Sequence, residues 1–282
     1  MDRSRTGRIA FQGEPGANSD LACRNAYPNM EPLPCATFED AFAAVESGAA
    51  DLGMIPIENS LGGRVADIHH LLPQSRLFIV DEHFQPVHHC LLALRGASLE
   101  SIEHVHSHPQ ALAQCRGLVR ELGLTPHATA DTAGAAKDVA DRGDPSVAAI
   151  ASTLAGELYG LEVLRTRVED KLGNVTRFVV MSRRREEPDP HTAECMTSFV
   201  FQVRSVPAAL YKSLGGFATN GVNITKLESY IVDENFTVAQ FYAEIEGHPS
   251  NVNVSHALDE LQYFSKTMKV LGVYPRNPFR HH

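Results

Sequence analysis

The feature that most constrains this chain is a change in the order of its elements late in the sequence. From Arg8 to Ser182, short apolar strands alternate with segments of helical spacing. "RIAFQG" reads as a strand ending in a glycine turn, followed by a helix near "SDLACRNAY". In "TFEDAFAAVESG", Thr37 is placed to cap a helix and Gly48 to stop it. "LGMIPI" reads as a buried strand, "RVADIHHLL" as a short helix and "RLFIVDEHFQPVHHCLLAL" as extended crossover strands. The alternation resumes with "EHVHS", one helix over "PQALAQCRGLVRELG", then "TPHATA", "TAGAAKDVADRG", "SVAAIAS", "TLAGELYG" and the strand "TRFVVMS". That order argues for an α/β sheet with helices on both faces. A linker follows over 183–194, "RRREEPDPHTAE", with charges of both signs, two prolines and no apolar period. Beyond it, "TSFVFQV", "PAALYKSLGGFATNG", "VNITKLESYIV", "FTVAQFYAEIEG", "VNVSHALDELQYFSKTM" and "KVLGVYP" read βαββαβ, a ferredoxin-like module. The closing "RHH" is set aside from the functional reading.

"LGNVTRF" poses a conflict. Gly173-Asn174 is turn chemistry and Phe178 opens an apolar strand, yet Asn174-x-Thr176 also matches a glycosylation acceptor. The five cysteines are odd in number, scattered and without a C-x-x-C pair, and the polar N-terminus lacks the apolar core of a signal peptide. A reducing cytoplasm is the expected compartment. The sequons at Asn174, Asn223, Asn235 and Asn253 are then chance matches, and Thr176 needs another role. A net charge of −9, with no basic cluster beyond Arg183–Arg185, argues against nucleic acid as the main partner. No apolar run approaches the roughly 18–20 residues that span a bilayer, so no membrane partner is expected.

Five motifs stand at loop–element junctions. In "FQGEPGANSD", Gly13 and Gly16 lie between a strand and a helix, where backbone N–H groups can approach an anion; an ordinary βα turn reads the same. In "IPIENSLGG", Glu58, Asn59 and Ser60 follow a buried strand at the end where ligands of open α/β sheets bind, or they merely cap the next helix. "HVHSHPQALAQC" alternates His104, His106 and His108, but Pro109 ends the strand and no ligand pattern completes a metal site. Ser107 stands at the helix start, with Gln114 two turns on. In "ADTAGAA", Asp131 and Thr132 cap a helix of small residues. Arg177 presents a fork suited to a carboxylate, with a surface ion pair as the plain alternative. Neutral donors and one arginine suit a small anionic substrate without a cofactor.

In this order, "GEPGANS", "IPIENSLGG", "HSHPQALAQC", "DTAGAA", "AAIAS..AGELYGL", "NVTRFVV" and "ALYKSLGGFATNGVNITKLES" resemble prephenate dehydratase over nearly the whole chain. The resemblance implies conversion of prephenate to phenylpyruvate, water and carbon dioxide in phenylalanine synthesis. It implies a catalytic domain of two α/β subdomains around a cleft, over 1–183 with the middle subdomain roughly at 83–160. A linker at 184–195 and an ACT regulatory domain at 196–276 would follow. By resemblance Thr176 is the central catalytic residue, with Asn59, Ser107 and Gln114 beside it. Arg177, Glu58, Ser60 and Phe178 would contact substrate. Adjacent strand residues point to opposite faces, so a strand starting before Thr176 would keep Arg177 out of the cleft.

The family binds phenylalanine through Gly-Ala-Leu and Glu-Ser-Arg-Pro motifs. Here they read Ala208-Ala209-Leu210 and Glu228-Ser229-Tyr230-Ile231. The expected effector contacts are Ala209, Leu210, Asn223, Glu228 and Ser229. A homodimer or homotetramer through this domain is also expected. Alternatives are an arogenate dehydratase, with an amino group replacing the keto oxygen, or a non-enzymatic two-lobed sensor of small molecules.

Overall fold

The computed structural model describes residues 3–191, 194–204, 206–232 and 238–281; Asn235 of the third sequon lies outside them. The chain parts into two compact units, Asp2–Val65 with His83–Phe178, and Ala66–Glu82 with Val179–His282. The segment 66–82, read from sequence within the first domain, thus belongs to the unit of the C-terminal residues.

In the first unit, one lobe comprises β1 (Gly7–Gln12), α1 (Asn18–Ala26), β2 (Met30–Cys35), α2 (Phe38–Ser47), β3 (Leu52–Asn59) and the short β4 (Gly63–Arg64). Strand β1 lies between β2 and β3, parallel to both, and buries Ile9, Ala10 and Phe11. Strand β2, "MEPLPC", has no counterpart in the sequence reading. Its Pro32 and Pro34 are tolerated because it is an edge strand, where a missing N–H breaks no ladder. Helix α2 starts as expected: Thr37 Oγ1 accepts from Asp40 N at 3.1 Å, and the Asp40 carboxylate accepts from Thr37 N at 3.2 Å.

Helix α3 (Ile68–Gln74) and β5 (Phe78–Pro86) come next, and β5 passes from one unit to the other. The second lobe of the first unit holds β6 (Cys90–Ala93), β7 (His104–Ser107), α4 (Pro109–Gln114), α5 (Arg116–Glu121), β8 (Thr125–Ala128), α6 (Thr132–Arg142), β9 (Val147–Ala151), α7 (Thr153–Tyr159) and β10 (Glu162–Arg165). Its sheet runs β10-β6-β9-β7-β8. The alanines of "DTAGAA" let α6 pack closely on β9, with Ala133, Ala135 and Ala136 against Ala149 and Ala151.

The helix expected over 109–123 is broken at Cys115 into α4 and α5. Asp170 causes the break: its N–H donates to Gln114 O at 2.7 Å, and its carboxylate accepts from Gly117 N at 2.8 Å. The "GEPGANS" loop fastens the two lobes. Ser152 Oγ donates to Gly16 O at 2.6 Å and Tyr159 OH to Pro15 O at 2.8 Å. Gly16 sits at φ +90°, and a Cβ there would lie 2.8 Å from Ala155 Cα, so only glycine permits this approach.

Strand β11 (Val175–Ser182) leads into the second unit, with β12 (Cys195–Val203), α8 (Ala209–Thr219), β13 (Ile224–Ile231), β14 (Ala239–Glu246), α9 (Val252–Phe264), β15 (Ser265–Pro275) and a 3₁₀ turn, Pro278–His281. The sheet order β13-β14-β12-β15, with β12 antiparallel to both neighbours, is the ferredoxin-like topology. Its core stacks Phe199 on Phe217 and Phe201 on Phe241. Ala208 precedes α8 at φ +61°, a left-handed conformation that suits glycine. Arg280 of the closing "RHH", set aside from the functional reading, has a structural role. Its guanidinium reaches Glu82 at 2.7 and 2.8 Å and Glu244 at 2.9 Å, and both carboxylates are fully buried.

Candidate active site

The site is assembled where β3 ends beside the start of β11. Ser60 ties the two together: its N–H donates to Val175 O, its hydroxyl donates to Gly173 O at 3.2 Å, and the same oxygen accepts from Val175 N at 2.9 Å. The exposed Ser60 is therefore a fastener of the "LGN" turn.

Asn59 sets the polarity of everything that follows. Its Oδ1 accepts from Leu61 N at 3.0 Å and Gly62 N at 2.7 Å. Backbone amides can only donate, so the amide orientation is fixed and Nδ2 must point the other way. Nδ2 donates to Thr176 Oγ1 at 2.9 Å and to Asn174 Oδ1 at 2.7 Å. Asn174 Nδ2 then donates to Gln114 Oε1 at 3.0 Å, and the same oxygen faces His89 Nε2 at 3.0 Å. An acceptor there requires Nε2 to carry the proton, which leaves Nδ1 as a bare lone pair. His89 is 4% exposed, and its Nδ1 is buried with no hydrogen-bond partner among the described residues. Burial holds the His89 imidazole below its ordinary value, against the Gln114 hydrogen bond and the Glu169 charge that favour the cation; His88 adds to the lowering.

These groups line a cavity of about 280 Å3 within the first unit. Gln12, Asn18, His108, Gln110 and Asp131 join Asn59, Gln114, Asn174, Thr176 and His89 around it. Among the described residues that line it there is no lysine or arginine, and Asp131 is the one carboxylate.

Thus Asn59, Gln114 and Thr176 are brought together. Ser107 is not: fully buried, it donates to Ile150 O at 2.5 Å, and the N-cap of α4 is His108, whose Nδ1 accepts from Gln110 N. Arg177 is not either. Strand β11 starts at Val175, so consecutive side chains alternate, and Arg177 turns inward to Glu58 Oε1 at 3.1 Å with its guanidinium 5.9 Å from the Phe84 ring centre. Phe178 is core. His104 meets His127 at 3.2 Å rather than a ligand set. The sequence reading missed His89 and the relay role of Asn174. "VHHC" reads as strand interior, and only the contacts reveal its open nitrogen.

The residues expected to contact an effector are spread out. Ala209 and Leu210 line a cavity of about 570 Å3 at the start of α8. Asn223 lines another, where its Nδ2 donates to Glu246 at 3.1 Å. On β13, Glu228 pairs with Lys226 at 3.3 Å and Ser229 is exposed.

Residues 9–186 match the family model of prephenate dehydratase. The chain belongs to the prephenate dehydratase family. As a member of that family it is a lyase. It is 53% identical over 272 residues to a bifunctional N-acyl-homoserine lactone acylase/prephenate dehydratase of Komagataeibacter europaeus, covering 96% of this chain and 97% of that protein. An arogenate dehydratase/prephenate dehydratase of Arabidopsis thaliana is 42% identical over 285 residues, or 95% of this chain and 68% of that protein. The structure of prephenate dehydratase from Arthrobacter aurescens in complex with L-Phe shares 30% identity and a TM-score of 0.87, covering 95% of this chain and 90% of that one. The mixed α/β fold with two sheets is that of the prephenate dehydratase family.

Proposed function

We propose that this chain converts prephenate to phenylpyruvate, water and carbon dioxide, with Thr176 acting on the leaving hydroxyl. The observation that carries this reading is the bond from Asn59 Nδ2 to Thr176 Oγ1. Because Oγ1 accepts there, the threonine's own hydrogen is left to donate to a substrate in the cavity. As the carboxylate on the ring leaves as CO2, its electron pair enters the ring and the ring C–O bond breaks. The departing oxygen takes up one proton from solvent and becomes water. Aromatisation drives the step, and no electron sink is needed. A threonine hydroxyl is a feeble acid, so its contribution is a fixed hydrogen bond to the charge developing on oxygen. Asn59, Asn174 and Gln114 hold that hydroxyl in place. Arg177, Glu58, Ser60, Ser107 and Phe178 support the walls, and donors such as Gln12, Gln110 and His108 receive the substrate carboxylates.

Thr176→Ala tests this. Its kcat should fall about 10²–10³-fold with little change in KM. A change in KM alone would reduce Thr176 to a binding contact.

The βαββαβ segment is read as an ACT module that binds phenylalanine and feeds back on the rate, in a cytoplasmic homo-oligomer. The complex of the A. aurescens relative with L-Phe supports this reading. No effect of millimolar phenylalanine on the rate would remove feedback control. A second reading, hydrolysis of N-acyl-homoserine lactone, is favoured by the 53% identity to the bifunctional K. europaeus relative. Incubation with an N-acyl-homoserine lactone should then release homoserine lactone.

A further inference from the structure

Prephenate carries two carboxylates, yet among the described residues neither lysine nor arginine lines the cavity at Thr176. Arg177 is turned inward to Glu58. A second cavity of about 330 Å3 lies in the same unit. It shares Gln110 and Gln114 with the first and continues to Leu61, Ala113, Asp170 and Lys171. Lys171 is exposed and makes no hydrogen bond or ion pair with another described residue. Its backbone is held through its neighbour: Asp170 donates its N–H to Gln114 O at 2.7 Å, and its carboxylate accepts from Gly117 N at 2.8 Å. Gln110 stands on the wall common to both cavities. Its side-chain amide lies over Gly62, where a Cβ would collide with it, and has no hydrogen-bond partner among the described residues.

The two carboxylates make opposite demands. The ring carboxylate leaves as CO2 and loses its charge. A cation on it would stabilise the ground state more than the transition state and slow the step. The carboxylate at the end of the three-carbon side chain keeps its charge into phenylpyruvate. A cation there strengthens binding and leaves the barrier unchanged. Resting on the dehydration proposed above, we infer that Lys171, with the Gln110 amide, receives the side-chain carboxylate of the substrate. The ring carboxylate then stays beside Thr176, in surroundings without a cation. Lys171 is a binding and positioning group and takes no part in bond breaking. The same contact holds phenylpyruvate, which retains that carboxylate.

The test compares steady-state rates on prephenate for the wild type, Lys171→Met and Lys171→Arg, with phenylpyruvate as product inhibitor. In Lys171→Met the KM for prephenate and the inhibition constant of phenylpyruvate should both rise about tenfold at low salt, with kcat within about twofold. Lys171→Arg keeps the charge and should stay near the wild type. Added salt should raise the wild-type KM more than that of Lys171→Met, because the contact is exposed to screening. Four outcomes overturn the inference while leaving dehydration intact. They are an unchanged KM in Lys171→Met, a raised KM with phenylpyruvate inhibiting as before, a fall in kcat alone, or Lys171→Arg as impaired as Lys171→Met. A wild type that makes no phenylpyruvate sinks the dehydration itself, and this inference with it.

Discussion

At Asn59, two backbone amides decide the protonation of a histidine that never touches them. Leu61 N and Gly62 N fix the Asn59 amide, and each later bond in the relay inherits its direction as far as His89. Asn59→Asp would replace the donor by an acceptor facing Asn174 Oδ1 and Thr176 Oγ1. We expect kcat to fall about 10²–10³-fold with the fold intact, measured as steady-state rates beside a circular dichroism spectrum. His89 also makes stability depend on pH. Its folded value lies below 6.5, so below that pH the unfolded chain binds a proton that the folded chain does not. Stability is full above pH 6.5 and falls as the pH drops toward the folded value. His106 adds in the same direction. Urea midpoints at pH 7.5 and 5 should show this fall, and His89→Gln should reduce it. At this scale the sequence was legible where chemistry is local. The turn and strand of "LGNVTRF" put Thr176 on the cavity, and the alternation rule excludes Arg177. The open nitrogen of His89 was hidden because it depends on partners distant in sequence.

Among the elements, those with local signals could be read and those shaped by tertiary contacts could not. The capping box and left-handed Gly48 bound α2 as "TFEDAFAAVESG" implied. The break between α4 and α5 has no marker in "PQALAQCRGLVRELG", because Asp170, which takes the freed backbone groups, lies on a distant loop. Strand β2 was masked by prolines that only an edge position allows. At the start of α8, Ala208 occupies a left-handed position that suits glycine. Ala208→Gly should stabilise the protein by about 1 kcal/mol, seen as a higher urea midpoint at unchanged slope. An unchanged midpoint would mean the strain is relieved elsewhere.

For the whole molecule, the two units differ from a cut at the "RRREEPDPHTAE" linker because Ala66–Glu82 joins the C-terminal residues. Within that unit Arg280 joins the buried Glu82 and Glu244, which lie far apart in sequence. Composition and periodicity do not register such a contact. Arg280→Ala would leave two buried carboxylates without this partner and should destabilise by about 3–5 kcal/mol, read from denaturant unfolding. In the proposed reaction, the cavity around Thr176 removes CO2 and hydroxide from a cyclohexadienyl ring in one step. Incubating the purified protein with prephenate, and following phenylpyruvate by its ultraviolet absorbance in alkali together with released CO2, tests it most directly. The wild type should give equimolar phenylpyruvate and CO2, and Thr176→Ala a rate at least a hundredfold lower. Binding of prephenate without either product, or an undiminished rate in Thr176→Ala, would contradict it.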